Sequence, residues 1–256
     1  MLLCLDVGNS QIHGGVFQGE TLVCQFRKST KPLGSADELG IFFLAVLREN
    51  GVEPRAVTRV AICCVVPAAL FHLRGAAEKY FRCPPFILQA GVKTGLKIRF
   101  QNPAEVGADR IAGAIAAVLK QPGRDVIVVD SGTATTLDAI ASTGDYLGGV
   151  IMPGVGAAAD SLASHTAKLP RVEIAQPGGT LGRTTIESIQ SGLYHGHVGA
   201  IRYILQRLKA EVFPTSVPYV FGTGGHFNWF DEEKLVDEIF PELVLWGLKQ
   251  AEHLNR

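Results

Sequence analysis

Two segments of one design, about half a chain apart, restrict this sequence more than any other feature. The first is Leu3-Cys4-Leu5-Asp6-Val7-Gly8-Asn9-Ser10, and the second is Val128-Val129-Asp130-Ser131-Gly132-Thr133-Ala134-Thr135-Thr136. Each is an apolar run ending in Asp-x-Gly. Small polar residues follow, then a second strand-like stretch, Ile12–Phe17 or Thr136–Ile140. An extended run that ends on a carboxylate and turns through glycine aims backbone N–H groups and hydroxyls at one place. That arrangement suits phosphate, with the carboxylates available to an accompanying Mg²⁺. Neither copy is a Gly-Lys-Ser/Thr phosphate loop or a GxGxxG fingerprint. Metal held by carboxylates therefore takes the place of a loop lysine. The repetition predicts two related half-domains facing each other across a nucleotide cleft.

The rest of the chain is consistent with that duplication. Leu2–Val7, Ile12–Phe17 and Leu22–Arg27 read as a three-stranded meander. Ser35 or Asp37 caps a helix to Asn50, in which Leu39, Phe42, Phe43, Val46 and Leu47 recur at helical spacing. Val57–Val66 reads as a buried parallel strand, Pro67 opens a helix to about Tyr80, and Phe86–Leu88 is a brief strand. Asn102-Pro103-Ala104-Glu105 has the cap, proline and glutamate of a helix start, which predicts a helix from there that ends before Pro122-Gly123. A second series follows: strands Asp125–Asp130, Thr136–Ile140 and Tyr146–Ile151, a helix from Pro153 to His165, and a loop from Leu169 to Gly182. A long helix then runs from Thr184 or Thr185 to Val212. Strand Val217–Phe221 precedes a helical C-terminus with a candidate strand at Pro241–Leu245. The expected fold class is α/β, with two ribonuclease-H-like halves at residues 1–121 and 122–256.

Composition narrows the function classes. Hydrophobic residues make up 47% and charged residues 19% of the 256, which describes a globule with a large core. Basic and acidic residues balance at 24 each, so no net field draws the chain to nucleic acid or to an anionic membrane. Cys4, Cys24, Cys63, Cys64 and Cys83 mostly sit in apolar runs without CxxC spacing, as buried free thiols of a reducing compartment do. The N-terminal run is interrupted by Asp6, and no apolar stretch reaches membrane-spanning length. The expectation is a cytoplasmic protein. His195-Gly196-His197 matches no zinc motif, and no Gly-x-Ser-x-Gly elbow is present.

Four further segments are candidates for chemistry. Gly107-Ala108-Asp109-Arg110 lies near a helix start. It is either an exposed ion pair or a base with a guanidinium grip on an anionic substrate. The helix N-terminus favours the ionised form of Asp109. Gly148-Gly149-Val150-Ile151-Met152-Pro153-Gly154 reads as structural punctuation or as close ligand approach. Gly222-Thr223-Gly224-Gly225 is either a tight turn or bare backbone beside an adenine or ribose. Thr184, Thr185, Ser188 and Ser191 decorate one helix start, mostly as caps or solvated hydroxyls.

Taken with Asn102-Pro103-Ala104-Glu105-Val106-Gly107-Ala108-Asp109-Arg110 and Gln190-Ser191-Gly192, these segments resemble type III pantothenate kinase over nearly the whole chain and in the same order. That family belongs to the actin-like ATPase superfamily with the sugar kinases and heat-shock ATPases. The resemblance implies ATP-dependent phosphorylation of pantothenate to 4′-phosphopantothenate, the first step of coenzyme A synthesis. It also implies a homodimer that uses Mg²⁺ and a monovalent cation such as K⁺ or NH₄⁺. By position it assigns Asp6, Val7, Gly8, Asn9, Ser10, Gln11, Ile12 and His13 to the first ATP loop, with Asp6 near Mg²⁺. Thr133 becomes an ATP contact and Asp130 a ligand of the monovalent cation. Asp109 becomes the proton acceptor, and Phe100, Gly107, Ala108, Arg110 and Thr185 become substrate contacts. Ser10 replaces a usual threonine and Ser131 a usual phenylalanine. Phe100 stands where tyrosine is common, so a hydrogen bond worth about 1 kcal/mol is lost. A non-catalytic regulator on the same scaffold and a kinase or phosphatase for another hydroxy acid are the competing readings.

Overall fold

Leu2–Val7 (β1) alternates its side chains between two faces, and both faces are covered. The computed structural model describes all 256 residues. β1 pairs antiparallel with Gln11–Gln18 (β2), which pairs with Thr21–Ser29 (β3). After Ala36–Glu49 (α1), Arg59–Cys64 (β4) adds to β1 in parallel. Pro67–Ala76 (α2) then leads to Phe86–Ile87 (β5), giving the order β3-β2-β1-β4-β5. Leu3, Leu5, Val7, Ile12 and Val16 point to one side and pack with Leu39, Phe43, Leu47 and Leu73 of α1 and α2. Ser35 and Glu38 form the capping box of α1. Between Lys97–Ile98 (β6) and Ala108–Lys120 (α3) lies a short 3₁₀ turn, Pro103–Glu105.

The second series begins with Val126–Ser131 (β7), Ala134–Ile140 (β8) and Asp145–Pro153 (β9), an antiparallel meander like the first. Val155–His165 (α4) and Thr185–Val212 (α5) precede Tyr219–Thr223 (β10), which lies parallel to β7. Glu238–Ile239 (β11) is parallel to β10. Within this unit the strands run β11-β10-β7-β8-β9. Ile127, Val129, Leu137 and Val220 meet Ile201, Leu205 and Phe213 in its core. The chain closes with Leu243–Leu254 (α6). No helix is long and apolar enough to cross a membrane.

Three expectations change. The helix foreseen from Asn102 is broken. Asn102 caps only the 3₁₀ turn, accepting from Ala104 N at 3.3 Å, and Val106 is extended before α3 begins at Ala108. The strand foreseen at Pro241–Leu245 is instead the entry to α6. Strand pairing ends with Phe240 N donating to Gly222 O at 2.7 Å, and Pro241 has no N–H to continue it. The division at 121/122 differs from the packing in one segment. The two compact units are Met1–Leu119 with Glu242–Arg256, and Lys120–Pro241. The C-terminal segment joins the first unit because α6 buries Leu243, Leu245, Leu248 and Ala251. Leu245 lies over Gly15, and Glu252 takes two bonds from Arg59 at 2.9 and 3.0 Å. A Cβ on Gly247 would lie 1.7 Å from Ala112 O, so α6 crosses α3 backbone to backbone.

Candidate active site

The first Asp-x-Gly turn closes on itself. Gly8 N donates to Gln11 O at 2.9 Å. The buried Thr30 pins the turn from below, its hydroxyl donating to Gly8 O at 2.7 Å and its N–H to Ser10 O at 2.9 Å. Asn9, Ser10 and Gln11 are therefore held exposed at the tip. Val7, Ile12 and His13 are buried, so in this conformation Val7 and Ile12 offer a ligand only backbone. His13 is 6% exposed, with its ring 3.4 Å from Gln25 Oε1. Burial, reinforced by Arg27, lowers its pKa to about 4. It is a neutral residue of the sheet face at neutral pH.

Asp6 leaves the end of β1 on the face opposite α1 and α2, in register with His13 on β2 and Cys63 on β4. Burial pushes the Cys63 thiol far up, and the Asp6 and Asp109 carboxylates add to the rise. Two of the three expected acidic groups thus act electrostatically on one buried sulfur. Asp109 is the second residue of α3, and its Oδ1 accepts from Arg110 N at 2.8 Å. A Cβ on Gly107 would sit 2.5 Å from that same oxygen, so glycine is what lets the carboxylate fold back over the break before α3. Burial raises the Asp109 carboxyl above the ordinary aspartate value, against the lowering effect of Arg110 and the helix amides. The helix amides do favour the ionised form, as the sequence suggests, but desolvation is the larger influence here.

Gly107, Ala108 and Arg110 are half-buried beside Asp109, and Phe100 is half-buried upstream. Next to this loop is a cavity of about 300 Å³, walled by Leu88, Leu96, Ile98, Val106, Ala108 and Ile111. Asn255 fastens the segment 89–96 that lines it, accepting from Lys93 N at 2.9 Å and donating to Lys93 O at 2.8 Å.

In the second unit Asp130 is the penultimate residue of β7, paired across the sheet with Thr136 and Thr223. Backbone closes around it. Gly224, at φ +95°, has no room for a side chain, since a Cβ would lie 2.4 Å from Asp130 Oδ1 and 2.5 Å from Ser131 O. Gly154 N donates to Thr133 O at 3.2 Å, and a Cβ there would be 2.3 Å from Gly132 O. Both glycine segments left open by the sequence are thus packing surfaces of the Asp130 loop. Thr133 is exposed at the tip, while Ser131 is fully buried with an unpartnered hydroxyl. Thr185 is exposed on the first residue of α5, whose cap is Thr184.

No three His, Cys, Asp or Glu side chains are grouped so that together they could hold a metal ion. The chemistry of the Asp6 carboxylate fits Mg²⁺, which is commonly held by one or two carboxylates and completed by water and substrate phosphates. Sequence reading missed Cys63 and Thr30 as parts of this site. Parity along β4 carries the signal for Cys63, while Thr30 has no motif to reveal it.

Residues 2–207 match the family model for type III pantothenate kinase. A type III pantothenate kinase of Legionella pneumophila is 50% identical over 255 residues, covering 100% of this chain and 99% of the relative. One from Elusimicrobium minutum is 43% identical over 256 residues, with the same coverage of each chain. Among solved structures, a 2-dehydro-3-deoxygalactonokinase protein of Sinorhizobium meliloti aligns with a TM-score of 0.57 at 15% identity, over 99% of this chain and 96% of that one. A Baf family protein of Campylobacter jejuni, described as a transcriptional activator, gives 0.60 at 20% identity over 98% and 97%. At those identities the structures establish the fold alone, an α/β fold of the actin-like kinase type.

Proposed function

The chain belongs to the type III pantothenate kinase family and phosphorylates pantothenate with ATP in coenzyme A synthesis, and from that premise we propose how its residues divide the work. The main supporting observation is the Asp109 carboxylate, held between Gly107 and Arg110 N with its pKa raised by burial. A general base works best with a pKa drawn toward the operating pH, so the desolvation is functional. Asp109 orients the primary hydroxyl of pantothenate and takes its proton as the new P–O bond forms. Arg110, beside it, meets the substrate carboxylate, and Gly107, Ala108, Phe100 and Thr185 complete the substrate contacts.

Phosphoryl transfer asks chiefly for in-line placement and charge neutralisation. The exposed tip Asn9–Gln11, the backbone of Val7–His13 and the Thr133 hydroxyl orient the phosphates. Asp6 holds Mg²⁺, which when bound neutralises charge on the phosphates. Asp130, crowded by the bare backbone of Gly224, holds a monovalent cation, K⁺ or NH₄⁺. The protein works as a cytoplasmic homodimer, for which Ile186 and Tyr203, apolar and exposed on α5, offer surface to cover.

Asp109→Asn keeps the shape and removes the base. The expected loss is about 10²–10⁴ in kcat with ATP and pantothenate, measured by coupled ADP release. Near-parental kcat would remove Asp109 from this role.

A further inference from the structure

Cys63 is fully buried, 0% exposed, and nothing so far gives it a task. It pairs in register with Asp6 across the parallel β1–β4 ladder, which brings its sulfhydryl within reach of the Asp6 carboxylate. Strands in a ladder lie about 4.8 Å apart, so the two side chains leave the same face side by side. The end of β4 also borders the substrate loop. Val65 N donates to Val7 O at 3.1 Å, and a Cβ on Gly107 would lie 3.8 Å from Val65 Cγ1. Cys63 therefore stands where the Asp6 turn and the Asp109 loop come together. Two nearby carboxylates repel each other, whereas an uncharged donor binds one and leaves the other free. Cys64 is the natural contrast. It pairs with Val7, whose side chain faces α1 and α2, and its thiol donates to Val66 O at 3.2 Å.

We propose that Cys63 is a positioning residue for the phosphoryl transfer, its sulfhydryl fixing the orientation of the Asp6 carboxylate beside the Asp109 loop. This rests on the assignment of Asp6 to the metal ion given above. Losing the donor frees Asp6 to rotate, and a bond of this kind corresponds to about fivefold in affinity.

The test uses the full-length protein with Mn²⁺ as the probe. Its affinity is read by electron paramagnetic resonance in the presence of a non-hydrolysable ATP analogue, alongside KM for metal–ATP and for pantothenate. Cys63→Ala and Cys63→Val, the second keeping the core filled, are expected to weaken Mn²⁺ binding about fivefold and to raise KM for metal–ATP in parallel. KM for pantothenate should stay within about twofold. Cys63→Ser supplies a hydroxyl donor and should restore both quantities, and Cys64→Ala should change neither. Parental Mn²⁺ affinity in Cys63→Ala and Cys63→Val overturns the inference, as does a serine variant as impaired as the alanine one. Asp6→Asn separates the two levels. If it leaves Mn²⁺ affinity unchanged, the metal role of Asp6 falls and this inference with it. If it weakens binding while the Cys63 variants do not, only the inference falls.

Discussion

Gly107→Ala tests the geometry of the proposed base without touching its chemistry. The added methyl carbon would lie 2.5 Å from Asp109 Oδ1, whereas ordinary contact begins near 3.4 Å, so the carboxylate must retreat by about 0.9 Å. Val65 Cγ1, at 3.8 Å from that carbon, is already at contact distance, so the methyl group cannot easily turn aside. Retreat gives up the 2.8 Å bond from Arg110 N and carries the oxygen away from the substrate hydroxyl. Misplacement by about 1 Å typically lowers rate about 100-fold, which is about 2.7 kcal/mol in the barrier. The fold should hardly notice. A glycine outside the left-handed region gains about 0.4–1 kcal/mol on replacement by alanine, through a less flexible unfolded chain, and local strain offsets this. The assay is kcat and both KM values by coupled ADP release, with thermal unfolding followed by circular dichroism. A variant that melts with the parent and keeps kcat within about threefold would refute the claim that this carboxylate position limits the reaction.

Three other expectations follow from the same geometry. Because burial raises the Asp109 carboxyl in the folded protein, its activity should fall on acidification with a midpoint above the ordinary aspartate value. The folded state holds that proton more tightly than the unfolded chain, so this group's contribution to stability is present at low pH and lost as pH rises through the folded pKa. Asp109→Asn should accordingly raise the urea midpoint at pH 7, and an unchanged midpoint contradicts the desolvation. His13 runs the other way, from 6.5 down to about 4. Its share of stability, at most roughly 3 kcal/mol, is present above pH 6.5 and lost as pH falls toward 4, so urea midpoints of His13→Gln should decline less over that window. Gly224→Ala forces a side chain at φ +95° onto Asp130 and should raise the half-saturating K⁺ concentration at least severalfold in activity titrations. Unchanged K⁺ dependence would detach Asp130 from the cation.

Much of the frame was legible because period-two alternation and a repeated Asp-x-Gly turn are local signals. β1 has the bounds its apolar run announces, and Ser35 caps α1 through its own side chain. What escaped depends on partners distant in sequence. Asn102, Pro103 and Glu105 do build a helical turn, but the carboxylate of Asp109 takes the place beside Gly107 and the helix restarts at Ala108. Gly224 reads in sequence as either a tight turn or bare backbone. Only the fold shows that Asp130 fills the space in front of it. Asp6 was identifiable as an acidic candidate, yet that a buried cysteine stands beside it requires the β1–β4 register.

The return of α6 to the first unit has a consequence for biogenesis. A chain that emerges in order from the ribosome normally completes its leading domain first. Here the later unit has all its residues once Pro241 is made, while the earlier one still lacks the helix that covers β1 and crosses α3. Until Leu254 is translated, Leu2, Cys4 and Phe17 have no α6 to shield them. The nascent polypeptide should therefore expose a sticky apolar face during most of its synthesis, and a holdase should stay engaged until α6 is made.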